Sequence, residues 1–207
     1  MEKKNGKGTE YLDGNYIFKG EFKNGNIFEG EGYDREKFTE KLTHCNWIEI
    51  RWNKEYDLIN GKGFVEKYNK DKDIIFIGDY LNGQRNGKGK EYNKNLNLIF
   101  EGEYLNGNRN GKGKEYYDNG KIEFEGDYLN GKRNGKGKEF YNVGILEYEG
   151  EFLNGKRHGK GKEYNYSGEL LYEGEYLNGK RWNGKGKEYL NGELLYEFKY
   201  LYGTKLF

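Results

Sequence analysis

Proline is absent from this 207-residue chain, and cysteine occurs once, at Cys45. Without proline there is no residue that must interrupt a sheet ladder for want of an N–H donor. One cysteine excludes an internal disulfide framework and fits a reducing compartment. An excess of either charge is also missing. The 36 basic and 35 acidic residues leave a net charge of +1, which is no electrostatic footprint for nucleic acid. Hydrophobic residues make up only 33% of the chain and charged ones 34%, a balance that in other chains accompanies disorder. Long apolar runs are lacking too. The opening Met1-Glu2-Lys3-Lys4-Asn5-Gly6 leads into none, which predicts neither a signal peptide nor a membrane-spanning helix. The expected location is the cytoplasm, with attachment to a membrane or the cytoskeleton as the alternative.

What the chain does have is aromatic rings and glycine. There are 21 tyrosines, 12 phenylalanines and 34 glycines. Each ring hides roughly 150–250 Å² when buried, so such a chain can build a core despite its polarity. The rings and glycines recur. Gly78, Gly102, Gly126, Gly150 and Gly174 follow at steps of 24. Two residues before each stands an aromatic (Phe76, Phe100, Phe124, Tyr148, Tyr172), and two after each stands another (Tyr80, Tyr104, Tyr128, Phe152, Tyr176). Leucine and Asn-Gly come next, as in Leu105-Asn106-Gly107, then Gly-Lys-Gly, as in Gly111-Lys112-Gly113.

Alternation at period two predicts a strand with rings and glycine on one face and acids on the other. Asn-Gly predicts a tight reversal, because both turn residues accept positive φ. Gly135 to Phe140 forms the return strand, and Asp118-Asn119-Gly120 or Ser167-Gly168 leads into the next copy. Each repeat is then one hairpin plus a connecting turn, advancing about 10 Å along the sheet. Plain alternation places Glu139 on the glycine face and Phe140 on the other. A bulge near Gly-Lys-Gly would reset that parity, and the sequence leaves the choice open.

The stretch from Tyr148-Glu149-Gly150-Glu151-Phe152-Leu153-Asn154-Gly155 to Gly159-Lys160-Gly161 resembles the MORN (membrane occupation and recognition nexus) repeat. Five close copies cover residues 74–190. Phe18-Lys19-Gly20-Glu21-Phe22-Lys23-Asn24-Gly25 is a further copy that reaches Gly30 and Gly32 with one extra residue. The copy at Gly174 carries the same insertion before Gly184 and Gly186. The resemblance implies an all-β fold, an elongated single-layer antiparallel sheet of tandem hairpins running over 1–207 as one array. Residues 1–32 would be N-terminal repeats, 33–63 a degenerate repeat with an insertion, 64–190 regular repeats and 191–207 a cap. Residues 34–45 fit a short helix capped by Asp34, with Phe38, Leu42 and Cys45 on one side. Phe198 takes the glycine slot, where its ring would cover the last repeat. Family members serve as scaffolds, as partner-binding grooves and in some proteins as membrane-associated segments.

No cofactor, metal or catalytic site is expected. His158 replaces the asparagines of other copies (Asn86, Asn110, Asn134) and is a turn variant. His44 beside Cys45 lacks the further ligands a metal needs. Gly83-Gln84-Arg85-Asn86-Gly87-Lys88-Gly89 is one residue short of a P-loop and lacks its Ser/Thr. Recurring carboxylates point to a charged face rather than to one tuned acid–base pair.

The expected function is that of a non-enzymatic scaffold binding a protein or peptide along the aromatic/glycine face. Tyr80, Tyr104, Tyr128, Phe152 and Tyr176 would line an open groove there, joined by Trp47 and Trp52 of the irregular segment. The alternative is an anionic phospholipid surface met by Arg85, Arg109, Arg133, Arg157 and Arg181, with Lys88, Lys112, Lys136, Lys160 and Lys185 close by. Against it stands pairing of these cations with glutamates such as Glu101, Glu103 and Glu115. Self-association through end strands is a third reading. Nucleic acid is not an expected partner.

Overall fold

A computed structural model describes residues 6–12, 16–23, 26–34, 53–58, 62–69 and 73–207. All regular structure among them is β-strand, in antiparallel ladders whose order follows the chain. The chain divides into two compact units, Met1–Leu96 and Asn97–Phe207.

In the first unit, β1 (Gly6–Leu12), β2 (Tyr16–Lys23), β3 (Asn26–Asp34) and β4 (Asn53–Leu58) form a four-stranded sheet. Next come β5 (Lys62–Tyr68), β6 (Ile74–Leu81) and β7 (Gln84–Tyr92), each antiparallel to its neighbour. Asp34 ends β3. The rest of the helix expected over 34–45, with His44, Cys45, Trp47 and Trp52, lies outside the described residues.

The second unit is an open single layer of ten strands. They are β8 (Leu98–Leu105), β9 (Asn108–Tyr116), β10 (Ile122–Leu129), β11 (Lys132–Phe140), β12 (Leu146–Leu153), β13 (Lys156–Tyr164), β14 (Leu170–Leu177), β15 (Lys180–Leu190), β16 (Glu193–Leu201) and β17 (Thr204–Leu206). The turns follow from their residues. Asn130 and Gly131 both take positive φ, 51° and 82°, which is the type I′ geometry whose twist matches the flanking strands. Between repeats, the Gly120 N–H donates to the Tyr117 carbonyl and the Tyr117 N–H to Lys121, both at 2.9 Å. Gly120 sits at φ 79°, the glycine position of a three-residue hairpin loop.

Each hairpin tip also hangs on the repeat before it. The Gly131, Gly155 and Gly179 N–H groups donate to the carbonyls of Arg109, Arg133 and Arg157, at 2.9, 2.8 and 2.8 Å. A hairpin that is marginal alone is thereby tied to a neighbour, as stacked repeats require.

The strand glycines face one another. Gly126 pairs with Gly137 in β10–β11 and with Gly113 in β10–β9. A Cβ on Gly126 would stand 2.6 Å from the Gly137 Cα and 2.7 Å from the Phe124 ring. The glycines are thus the floor over which the ring lies. The insertion shared by two copies has one consequence in both. Gly20 pairs with Gly30 and Gly174 with Gly184, the first glycine of the motif, whereas Gly126 pairs with the second.

The parity question resolves with both expected features present. Tyr128 pairs with Arg133 and Gly126 with Gly137, so Asn134, Gly135 and Lys136 bulge opposite Asp127. Gly135 has φ 95°. Asp127 stabilises the bulge by accepting the Lys136 N–H at 3.1 Å. Glu139 nevertheless stays on the glycine face, directly across from Phe124.

Candidate binding surface

Two rings per repeat occupy the glycine face. Phe76, Phe100, Phe124, Tyr148 and Tyr172 are wholly buried, and Tyr104, Tyr128, Phe152 and Tyr176 are 3–4% exposed. In the second unit they interlock edge to face in an unbroken zigzag. Phe100 meets Tyr104 and Tyr128, Phe124 meets Tyr128 and Phe152, Tyr148 meets Phe152 and Tyr176, and Tyr172 meets Tyr176 and Tyr200. Centroids are 5.1–5.6 Å apart. That geometry lets each ring's positive edge meet its neighbour's negative face. Of the rings expected to line an open groove, Tyr104, Tyr128, Phe152 and Tyr176 are therefore core. The correction has a plain cause: Tyr128, Phe152 and Tyr176 are each wedged between the first ring of their own repeat and that of the repeat before, and an arginine covers each of those first rings. Tyr80 is half-buried, at 5.6 Å from Phe76.

The arginines form that cover. The guanidiniums of Arg85, Arg109, Arg133, Arg157 and Arg181 lie 4.3, 4.0, 4.4, 4.6 and 5.3 Å from the ring centres of Phe76, Phe100, Phe124, Tyr148 and Tyr172. Glutamates on the same face join them into a zipper. Glu115 receives both Arg109 and Arg133, Glu139 receives Arg133 and Arg157, and Glu163 receives Arg157 and Arg181. These side chains are only 17–24% exposed. Burial alone would lower the arginine pKa values, but the adjacent carboxylates outweigh it and hold Arg133, Arg157 and Arg181 more firmly protonated than usual. Burial would likewise raise Glu163; hydrogen bonds from Arg181 and Tyr176 and the charges of Arg181 and Arg157 bring it below the ordinary carboxylate range. Of the pairings expected for these cations, Glu115 takes part. Glu101 instead accepts the Tyr116 hydroxyl at 2.5 Å, and Glu103 accepts the Lys112 backbone N–H at 3.3 Å.

The opposite face is a lattice of exposed lysines and acids. Lys114 faces Glu125 at 3.8 Å, Lys162 faces Glu173 at 3.4 Å and Lys187 faces Glu197 at 3.3 Å. Tyr164 donates to Glu149 at 3.0 Å. Partial burial first, then that bond and the charges of Glu149 and Glu173, push its pKa up to about 12.

A family model for the MORN repeat matches residues 76–96, 100–122, 124–144, 148–169 and 172–192, more than half of the chain. The chain belongs to the MORN-repeat family. No curated protein matches it. The MORN repeat is a non-catalytic repeat type. Its hallmark residues have the structural duties just described: ring, glycine floor, second ring, type I′ turn and bulge. Among the described residues no group of three or more His, Cys, Asp or Glu side chains could hold a metal.

Two features of this MORN array were not singled out from sequence. In the second unit the leucine that ends the first strand of each hairpin is exposed: Leu105 49%, Leu129 50%, Leu153 44% and Leu177 38%, each before Asn-Gly, and Leu201 47% before Tyr202-Gly203. It directly follows a buried ring, so alternation turns it to the charged face. Its recurrence in every copy was the available signal. The second is a depression of about 480 Å³ at the same hairpin edge, lined by His158, Lys160, Glu175, Leu177 and Trp182 among others. It forms where the repeats depart from one another. His158 stands where Asn110 and Asn134 accept turn N–H groups at 3.4 and 3.3 Å, and its own Nδ1 is buried without a partner. Trp182 is the inserted residue of its copy, bulged between Arg181 and Asn183. Phe198 keeps its expected capping place, 7% exposed and paired with Gly186, with Lys205 at 3.9 Å over its ring.

Proposed function

We propose that this protein is a non-enzymatic scaffold whose repeat ladder binds a protein partner. The observation that carries the reading is the row of exposed leucines, one per hairpin of the second unit, held at regular spacing by the sheet. A surface that repeats one motif suits an elongated partner better than a small substrate. Because the rings of the glycine face are core, a partner on that side would meet the Arg–Glu zipper above them rather than the rings. The phospholipid reading is weaker on the same ground, since its five arginines are already engaged by rings and, from Arg109 onward, by shared glutamates.

The test is capture from the source cell with the immobilised chain, followed by reconstitution with each purified candidate. A one-to-one complex measured by calorimetry supports the scaffold reading. If no captured protein binds once purified, the reading fails.

A further inference from the structure

We infer that the hairpin edge of the second unit is a docking strip for an extended, acidic protein segment carrying an apolar side chain at every third residue. This deepens the scaffold reading and rests on it. Three observations converge on the strip.

The first is composition. Leu129 pairs with Lys132, Leu153 with Lys156 and Leu177 with Lys180, so these three exposed leucines each share their face with an exposed lysine. Lys136 and Lys160 lie on that face too, opposite Glu151 and Glu175. Among the described residues, none of these five lysines is in an ion pair, whereas Lys112, Lys114, Lys138, Lys162 and Lys187 each have one.

The second is where the local acids point. Asp127 accepts the Lys136 backbone N–H and pairs with Lys112. Glu175 accepts from the Asn183 side chain at 3.0 Å. These carboxylates serve the bulges and the neighbouring strand, which leaves the strip a basic surplus in a chain of nearly balanced charge.

The third is spacing. Successive leucines are two strands apart, about 10 Å. Three residues of a polyproline II chain advance nearly the same distance, about 9 Å, and its threefold screw returns every third side chain to one face, whereas a β-extended chain would alternate. Apolar side chains at every third position of such a chain would keep step with Leu129, Leu153 and Leu177, and acidic residues between them would meet the lysines. The depression beside Trp182 and His158 continues from Leu177 and has room for a larger apolar side chain at the segment's end. A bilayer fits less well, because the leucines lie half-covered along the sheet and offer little to insert.

The probe is a fluorescent peptide of four Leu-Pro-Glu copies, in which proline holds the chain extended. Controls are four Leu-Pro-Lys copies and a Leu-Pro-Glu-Glu repeat that breaks the step. Saturable binding is expected for the first peptide only, weakened by salt. It should weaken at least about tenfold in Leu153→Ser/Leu177→Ser and in Lys132→Glu/Lys156→Glu chains, because anchor contacts dominate such interfaces. Unchanged melting temperatures of these variants would show the ladder intact. Absent binding, or equal binding of the out-of-step peptide or by the variants, overturns the proposal. Sedimentation with phosphatidylserine vesicles that the lysine changes abolish, without peptide binding, assigns the strip to lipid instead. If the purified cellular partner binds these variants undiminished, the strip is refuted while the scaffold reading stands.

Discussion

Arg133 lies 4.4 Å above the centre of the Phe124 ring and reaches from there to Glu139 at 2.8 Å. One side chain thus covers a buried ring with its flat face and links three carboxylates, Glu115, Glu123 and Glu139, with its edge. Lysine cannot do both, because its ammonium is a compact charge with no planar fork. Arg133→Lys should lower stability by about 1–2 kcal/mol and Arg133→Met by more, since Glu115 and Glu139 each lose a partner while partly buried. Urea unfolding of the two variants checks the order. Equal stabilities would mean the zipper contributes no specific geometry.

The glycine floor makes a sharper prediction. Gly126→Ala places a methyl 2.6 Å from the Gly137 Cα and from the Lys136 carbonyl oxygen. Backbone cannot yield as a flexible side chain does, so the change should cost at least about 1–3 kcal/mol, the usual penalty for overpacking. Gly126→Val should be worse. Gly107→Ala is the contrast: no atom approaches within 4 Å, and the strain comes from φ 85° alone. Thermal melts of the three should rank them with Gly107→Ala the mildest.

Two equivalent tyrosines should respond oppositely to loss of their hydroxyls. Tyr176 donates to Glu163 at 2.8 Å. The Tyr128 hydroxyl, two repeats earlier beside Glu115, is buried without a well-formed hydrogen bond. Tyr176→Phe should cost about 1 kcal/mol, and Tyr128→Phe should be neutral or stabilising. Phe152 already fills the place between them. Denaturant midpoints decide it; equal losses would show that the Tyr128 hydroxyl is satisfied in solution.

His158→Asn should stabilise the hairpin edge. It restores the side chain that at Asn134 accepts the next turn's N–H, and it removes an unpartnered buried nitrogen. A gain of about 0.5–1.5 kcal/mol is expected from one regained bond. Hydrogen exchange at the Asn178 amide would locate it, slowing in the variant if the bond forms.

Acid should loosen the zipper. Glu163 has a pKa lowered by its hydrogen bonds and by the charges of Arg181 and Arg157. Its stabilising contribution is complete above the unfolded carboxylate value of about 4.3 and is lost as pH falls toward the lower native value. Melting temperatures from pH 7 to pH 2 should drop below that value. Glu163→Gln should flatten this acid limb while lowering the plateau at neutral pH.

The reach of sequence reasoning can be seen at particular residues. The step of 24 residues and the pattern around Gly126 sufficed for strands, turns and ladder order, because hairpins are local and Asn-Gly admits few backbone conformations. Leu96, by contrast, stands where the step of 24 puts Gly120 and Gly144 in other copies, and only the structure shows that it keeps their positive φ, at 61°.

Sequence alone therefore determined the architecture: a repeating pattern of ring, glycine and turn has one economical way to stack. Tertiary structure decided what each face is. Alternation assigns residues to faces but carries no record of what a neighbouring repeat lays over them. The rings of Tyr104, Tyr128, Phe152 and Tyr176 became core because adjacent copies interlock. Arg133, Arg157 and Arg181 became the cover of Phe124, Tyr148 and Tyr172 because glutamates up to 18 positions away arrive beside them. The leucines were left outside because the strand ends there, one residue beyond the last buried ring.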